Sequence, residues 1–157
     1  MYILFLNPSL ASNKKYIREG RCMQKASSWV TLWPPLGLGI LAAIARKKGH
    51  AVRLIDNNVD ELTMDSLLTA LRSEPPDMIV MTTGFPSIDD DMTVAGAIKT
   101  ALPHARIVCF GVYFTLLGKE ALAPHPSVDI GISGEPEETF SELIDQCASS
   151  HPDLSSV

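Results

Sequence analysis

Cysteine is scarce in this chain. Cys22, Cys109 and Cys147 are the only three among 157 residues, an odd number separated by 87 and 38 positions. That usage suits a reducing cytoplasm and excludes a clustered-cysteine metal site within these residues. Long apolar runs are missing too: none reaches the roughly 18 residues that a membrane-spanning helix needs. The opening residues, MYILFLNP, lack the basic region and small-residue cleavage site of a secretory signal. Basic charge is in deficit, 13 Lys and Arg against 18 Asp and Glu for a net charge of −5, which argues against nucleic acid as a partner. These absences point to a cytoplasmic protein with neither membrane nor nucleic acid as its surface of action.

What is present is a core. The hydrophobic share is 46% and the charged share 20%, the balance of one soluble domain of ordinary size. Tyr2–Leu6, Ala51–Ile55, Met78–Thr82, Arg106–Phe110 and Val128–Ile132 read as strands, each bounded by Gly, Pro, Asp or Asn. The first, third and fourth are almost continuously apolar, as parallel strands covered on both faces are. Helical patterns lie between them. Leu38, Leu41, Ala42 and Ala45 form a stripe ending at Gly49, and Thr63 precedes a Leu67/Leu68/Leu71 stripe as its N-cap. Ser87 to Asp90 matches a capping box by residue type, and a short helix is expected near Thr115–Leu122. Glu135-Pro136-Glu137-Glu138 opens the last helix, with a Phe140/Leu143/Ile144/Cys147 face. The β-α alternation predicts a doubly wound α/β fold, a parallel five-stranded sheet in the flavodoxin-like, Rossmann-like order 2-1-3-4-5.

One connection is far longer than the fold requires. Residues 9–35 span 27 positions where two to six would serve, and they carry Lys14, Lys15, Arg18, Arg21 and Lys25 against one acid, Glu19, then Trp29 and Trp33. The segment is either a solvated surface loop, a flap over a ligand, or a docking surface for another domain.

Ligands of open parallel sheets bind outside the carboxyl ends of the strands. Here those ends are Asn7-Pro8, Asp56-Asn57, Thr82–Ser87, Gly111–Thr115 and Gly131–Glu137. Their Gly, Pro, Ser, Thr and Asn residues bring backbone close to a ligand and hydrogen-bond it without adding charge, a rim suited to a large neutral molecule with many amides. His50, His104 and His125 each precede a strand and so fall toward the opposite, amino-terminal edge, while His151 lies in the tail. No nucleophile–base pair is visible, so the domain reads as a binder and not as a self-sufficient catalyst. Gly37-Leu38-Gly39 with Asp56 mimics a dinucleotide fingerprint, but Pro34-Pro35 stands where a strand should precede it. A phosphoacceptor receiver would need acids where Asn7-Pro8 stands, and the triple Asp89-Asp90-Asp91 is accounted for by the helix dipole.

Taken in order, the loops resemble a family. Asn7-Pro8, Pro34-Pro35-Leu36-Gly37-Leu38-Gly39, Lys48-Gly49-His50, Asp56, Pro76-Asp77, Gly111 and Gly134-Glu135-Pro136-Glu137-Glu138-Thr139 are similar to the amino-terminal cobalamin-binding domain of cobalamin-dependent radical-SAM enzymes, methyltransferases among them. The resemblance implies that cobalamin, with its amide-edged corrin, is held by Asn7, Pro8, Thr83, Gly84, Ser87, Gly111, Val112, Tyr113, Thr115, Gly134 and Glu135, its nucleotide tail entering the switch-point crevice. The Asp-x-His-x-x-Gly motif by which methionine-synthase-like carriers supply a lower axial histidine is absent, so the resemblance implies a lower face without one. Where the family often has Gly-Gly, Gly111-Val112 narrows the approach.

A [4Fe-4S] cluster and S-adenosylmethionine would belong to a radical-SAM domain outside these residues. The expectation is therefore a binding domain over residues 1–148, inactive alone. Residues 149–157 would begin a linker to the catalytic domain, in the parent chain or a partner chain. A flavodoxin-like regulatory or interaction domain that binds no corrin is the alternative.

Overall fold

The computed structural model describes residues 1–9, 15–18, 24–25, 32–149 and 154. Its centre is a parallel sheet of five strands: β1 (Tyr2–Asn7), β4 (Ala51–Asp56), β5 (Met78–Thr82), β6 (Arg106–Phe110) and β7 (Ile130–Ile132). They lie in the order β4-β1-β5-β6-β7, which counted along these five strands is 2-1-3-4-5, as expected. The three strands that read as continuously apolar, β1, β5 and β6, are the central ones and are almost wholly buried. At the edge, β4 buries only Ile55.

Alternation along the strands divides the core in two. Leu4, Leu6, Ile79, Met81, Ile107 and Cys109 face α3 (Met64–Ser73), α4 (Ile88–Ala101) and α5 (Val112–Leu117). Ile3, Phe5, Met78, Val80, Val108 and Phe110 face α1 (Leu36–Lys47) and α6 (Pro136–Ala148), where Phe140 meets Phe5 edge-on at 5.8 Å between ring centroids.

The helix ends follow from local chemistry. Helix α1 stops in a Schellman motif: Gly49 N–H donates to Arg46 O and His50 N–H to Ala45 O, with Gly49 at φ +84°. Thr63 caps α3 through the Ser66 N–H. Two short pieces appear that periodicity did not reveal, α2 (Asn57–Asp60), capped by Asp56, and an antiparallel pair β2 (Tyr16–Ile17) and β3 (Gln24–Lys25) inside the long connection.

Several local expectations are corrected. The capping box at Ser87 does not form, because its hydroxyl donates to Asp91 Oδ2 at 2.6 Å and leaves the helix N–H groups alone. Strand β7 starts at Ile130 and not at Val128, since the Asp129 carboxylate takes the Ile107 N–H at 2.7 Å. The helix expected near Thr115 begins at Val112, and a 3-10 turn (Gly118–Ala121) replaces its second half.

Candidate functional site

At the carboxyl ends of β5, β6 and β7 lies an open crevice of about 470 Å³, within the roughly 300–1,000 Å³ range of ligand clefts. Thr82 and Phe110 line it from the strand ends, the amino-terminal turns of α1 and α6 from one face of the sheet and α5 from the other. Five of the candidate residues line it: Gly111, Val112, Thr115, Gly134 and Glu135. Gly111 takes φ +121°, where a Cβ would stand 2.2 Å from the Thr83 carbonyl oxygen, so the β6–α5 turn closes only with glycine. Thr115 then ties two walls together. Its hydroxyl donates to Gly111 O at 3.0 Å and accepts from Gly134 N–H at 3.1 Å. Around the mouth stand exposed apolar side chains, among them Leu36 (56% exposed), Ile40 (48%) and Leu116 (68%). A collar of this kind around a concave mouth is the surface expected of a docking site for an apolar-faced ligand or partner.

The other candidates are elsewhere. Asn7, Pro8, Thr83, Gly84 and Ser87 are buried, at or next to the β1/β5 switch point. That space is filled by protein. Arg18, from the long connection, reaches down so that its Nη2 donates to Asp91 Oδ1 at 2.5 Å and its Nη1 to Asn7 Oδ1 at 2.9 Å. Asn7 Nδ2 in turn donates to Asp56 Oδ1 at 2.8 Å. The Thr83 hydroxyl, fully buried beside Asp91, closes no well-formed hydrogen bond. Asp91 is therefore not a dipole-satisfying surface acid, as its place in the Asp triplet suggested. It is one half of a buried ion pair, with side chains 2% and 1% exposed. Burial pushes its carboxyl above the ordinary range, and the Arg18 guanidinium draws part of that back.

Tyr113 turns away from the crevice. Its hydroxyl lies 3.2 Å from His125 Nε2 and its ring packs edge-on against Phe85. His125 is thereby carried nearer the carboxyl side than its position before β7 implied, close enough to feel Asp89 at the start of α4. Desolvation nevertheless keeps its pKa below the usual histidine value. His50 meets the amino terminus of Met1 at 3.4 Å, and His104 is exposed in the turn before β6. No histidine is among the described residues that line the crevice. His151, Trp29, Lys14 and Arg21 lie outside the described residues, as does Cys22, and only the backbone of Lys25 is described.

Sequence reasoning missed Arg18 as a structural residue and Leu36, Gly37 and Ile40 as crevice walls. A signal existed for Leu36 and Ile40, which are large, apolar and off the Leu38/Leu41/Ala45 stripe. For Arg18 there was none, because its partner is 73 positions away.

A family model for the B12 binding domain matches residues 27–144, three quarters of the chain, and takes in every described lining residue of this crevice except Arg18. The chain belongs to that family. This B12-binding domain is 31% identical over 115 residues to an uncharacterized methyltransferase of Pyrococcus horikoshii, covering 73% of this chain and 25% of that protein. It is 28% identical over 116 residues to an anaerobic magnesium-protoporphyrin IX monomethyl ester cyclase of Cereibacter sphaeroides (71% and 18%). A cyclase of the same name from Synechocystis is 27% identical over 129 residues (79% and 25%). The B12-binding domain thus spans a quarter or less of the curated relatives it matches. A CheY-like protein, tadZ, of Pseudomonas aeruginosa shares the fold at TM-score 0.56 and 13% identity, over 88% of this chain and 94% of that one. No helix of the described residues is long and apolar enough to cross a membrane.

Proposed function

We propose that this domain holds cobalamin at the carboxyl-end crevice, with no lower axial histidine, and serves a radical-SAM methyltransferase whose catalytic domain lies elsewhere in the parent chain or in a partner chain. The observation that carries the reading is the crevice itself. Neutral backbone and hydroxyl groups of Gly111, Thr115 and Gly134 line it, and an apolar collar surrounds it, in a chain that belongs to the B12-binding family. The donor set fits the group. A cleft of this size accepts a nucleotide-sized tail, and the collar offers a face to the corrin. Cobalamin, when bound, supplies a methyl carrier.

The chain's own residues bind and orient. Thr115 holds the Gly111 and Gly134 turns at a fixed spacing, and residues of the amino-terminal turns of α1 and α6 line the cleft. Asn7 and Ser87 support the cleft from beneath through the Arg18–Asp91 pair, Asn7 bonding Arg18 and Ser87 bonding Asp91. The absence of histidine from the described lining, and the engagement of His125 with Tyr113, support the histidine-free lower face. The iron–sulfur cluster and S-adenosylmethionine belong, on this reading, to the catalytic domain, beyond a linker beginning near residue 149. The chain's small share of its relatives' length supports that division.

Hydroxocobalamin is mixed with the purified protein, which is then desalted and its visible spectrum recorded. Retained corrin absorbance is the expected result. Clean loss returns the chain to an interaction domain that binds no corrin. Replacing His50, His104, His125 and His151 together should leave the bound spectrum unchanged, and a shifted spectrum would reject the histidine-free lower face.

A further inference from the structure

Among the described residues lining the crevice, Arg18 is the one cation; the other charged groups there are Glu135 and Glu137. Arginine in a connecting loop is ordinarily solvated, yet this side chain is 2% exposed and held from several sides. Its Nη2 donates to Asp91 Oδ1 at 2.5 Å and its Nε to Asp91 Oδ2 at 3.4 Å. Its Nη1 donates to Asn7 Oδ1 at 2.9 Å and to Ser9 Oγ at 3.4 Å. The Tyr16 ring lies 5.2 Å from its Cζ. A guanidinium has five N–H donors in a rigid fork. Among the described residues these bonds occupy four of the five, and one Nη2–H has no partner there.

Attraction within a buried Arg–Asp pair only about offsets the desolvation of its members, so stability alone is a weak reason to bury one here. A donor pre-oriented at the wall of a ligand cleft is a better one, since a fixed guanidinium matches phosphate geometry and loses little entropy on binding.

We propose that Arg18 recognises the phosphodiester of cobalamin's nucleotide tail, with Asp91 as the residue that positions its guanidinium. This deepens the cobalamin reading and rests on it. Glu135 and Glu137 follow β7, two strands from the β5 end that Arg18 overlies, about 10 Å away at ordinary strand spacing. They repel the same phosphate. The charge pattern therefore sets which way round the tail enters, phosphate toward β1 and β5, neutral amides toward β7.

Arg18→Gln alone leaves Asp91 buried and unpaired, which threatens folding. The R18Q/D91N double variant removes the cation without stranding a charge. Wild type and double variant are titrated with hydroxocobalamin and with cobinamide, which lacks the nucleotide and its phosphate, and the phosphorus NMR resonance of bound cobalamin is recorded. The double variant should bind cobinamide as wild type does and hydroxocobalamin about tenfold or more weakly, the loss expected for a charged hydrogen bond. Its bound phosphorus resonance should move back toward that of free cobalamin. Where cobinamide binds neither protein, the resonance decides alone. Equal losses for both corrinoids, or an unchanged affinity and resonance for cobalamin, would overturn the assignment. Wild type retaining neither corrinoid overturns the cobalamin reading, and this with it.

Discussion

Gly111 and Gly134 both hold positive φ at the crevice, but for different physical reasons. At Gly111 (φ +121°) an added Cβ meets the Thr83 carbonyl oxygen at 2.2 Å, and backbone does not yield as a side chain does. At Gly134 (φ +80°) the same Cβ meets nothing within 4 Å. Gly111→Ala should therefore cost both strain and overpacking, about 2–5 kcal/mol, while Gly134→Ala costs about 1–2 kcal/mol of strain alone. Urea midpoints at unchanged slope would measure both. If the order is reversed, the β6–α5 turn is not the close approach described.

Histidine titration is also a matter of single residues. Burial lowers the pKa of His50 and His125 below 6.5, against weaker pulls from Asp145 and Asp89. The unfolded chain then takes up these protons first as the solution is acidified. Stability contributed by the neutral rings is present above about pH 6.5 and is lost as pH falls from there toward their folded values. Melting temperatures measured between pH 7.5 and 5.5 should fall with acid, and the H50Q/H125Q variant should flatten that slope. An equal slope would assign the acid sensitivity to other groups.

At the scale of elements, the buried face of α6 and the exposed face of α5 separate stability from binding. Phe140 of α6 is fully buried against Phe5, so Phe140→Ala should remove about 3–5 kcal/mol. Leu116 of α5 is 68% exposed at the crevice mouth, and Leu116→Ala should leave stability within about 0.5 kcal/mol while weakening hydroxocobalamin retention. Denaturation curves and desalting spectra of the two variants separate these effects; a Leu116 variant that binds normally would remove that side chain from the site.

Elements also show what was legible in sequence. Strands β1, β5 and β6 announce themselves because burial on both faces demands uninterrupted apolar residues, and α1 does so through its stripe and the glycine of its Schellman motif. The crevice turns at Gly111 and Gly134 were readable, since φ of that sign selects glycine. The switch point was not. Asp91 looked like a dipole acid because local spacing is all a sequence displays, whereas its partner Arg18 arrives from a segment with no periodicity. Asn7 and Ser87 have the polar side chains a ligand contact wants, and the fold spends them on that pair, Asn7 on Arg18 and Ser87 on Asp91.

For the molecule as a whole, the described residues of the long connection are tied to the sheet by bonds from several elements. Ser9 reaches Asn58, Tyr16 reaches Asp90, and Lys15 reaches Glu61, besides the Arg18–Asp91 pair. A ligand seated in the crevice touches Arg18 and the walls formed by α1, α5 and α6 at once, so it binds the folded chain and has nothing comparable to hold in the unfolded one. Linkage then fixes the size of the response. Free hydroxocobalamin at 100 times its dissociation constant should add about 2.7 kcal/mol to unfolding, which for a chain of this length raises the melting temperature by about 5–10 °C. Differential scanning calorimetry across a cobalamin titration measures the rise. The increase should grow logarithmically with free ligand and be smaller for R18Q/D91N at equal concentration. A melting temperature indifferent to hydroxocobalamin would mean that the crevice does not hold it, whatever the family's other members do.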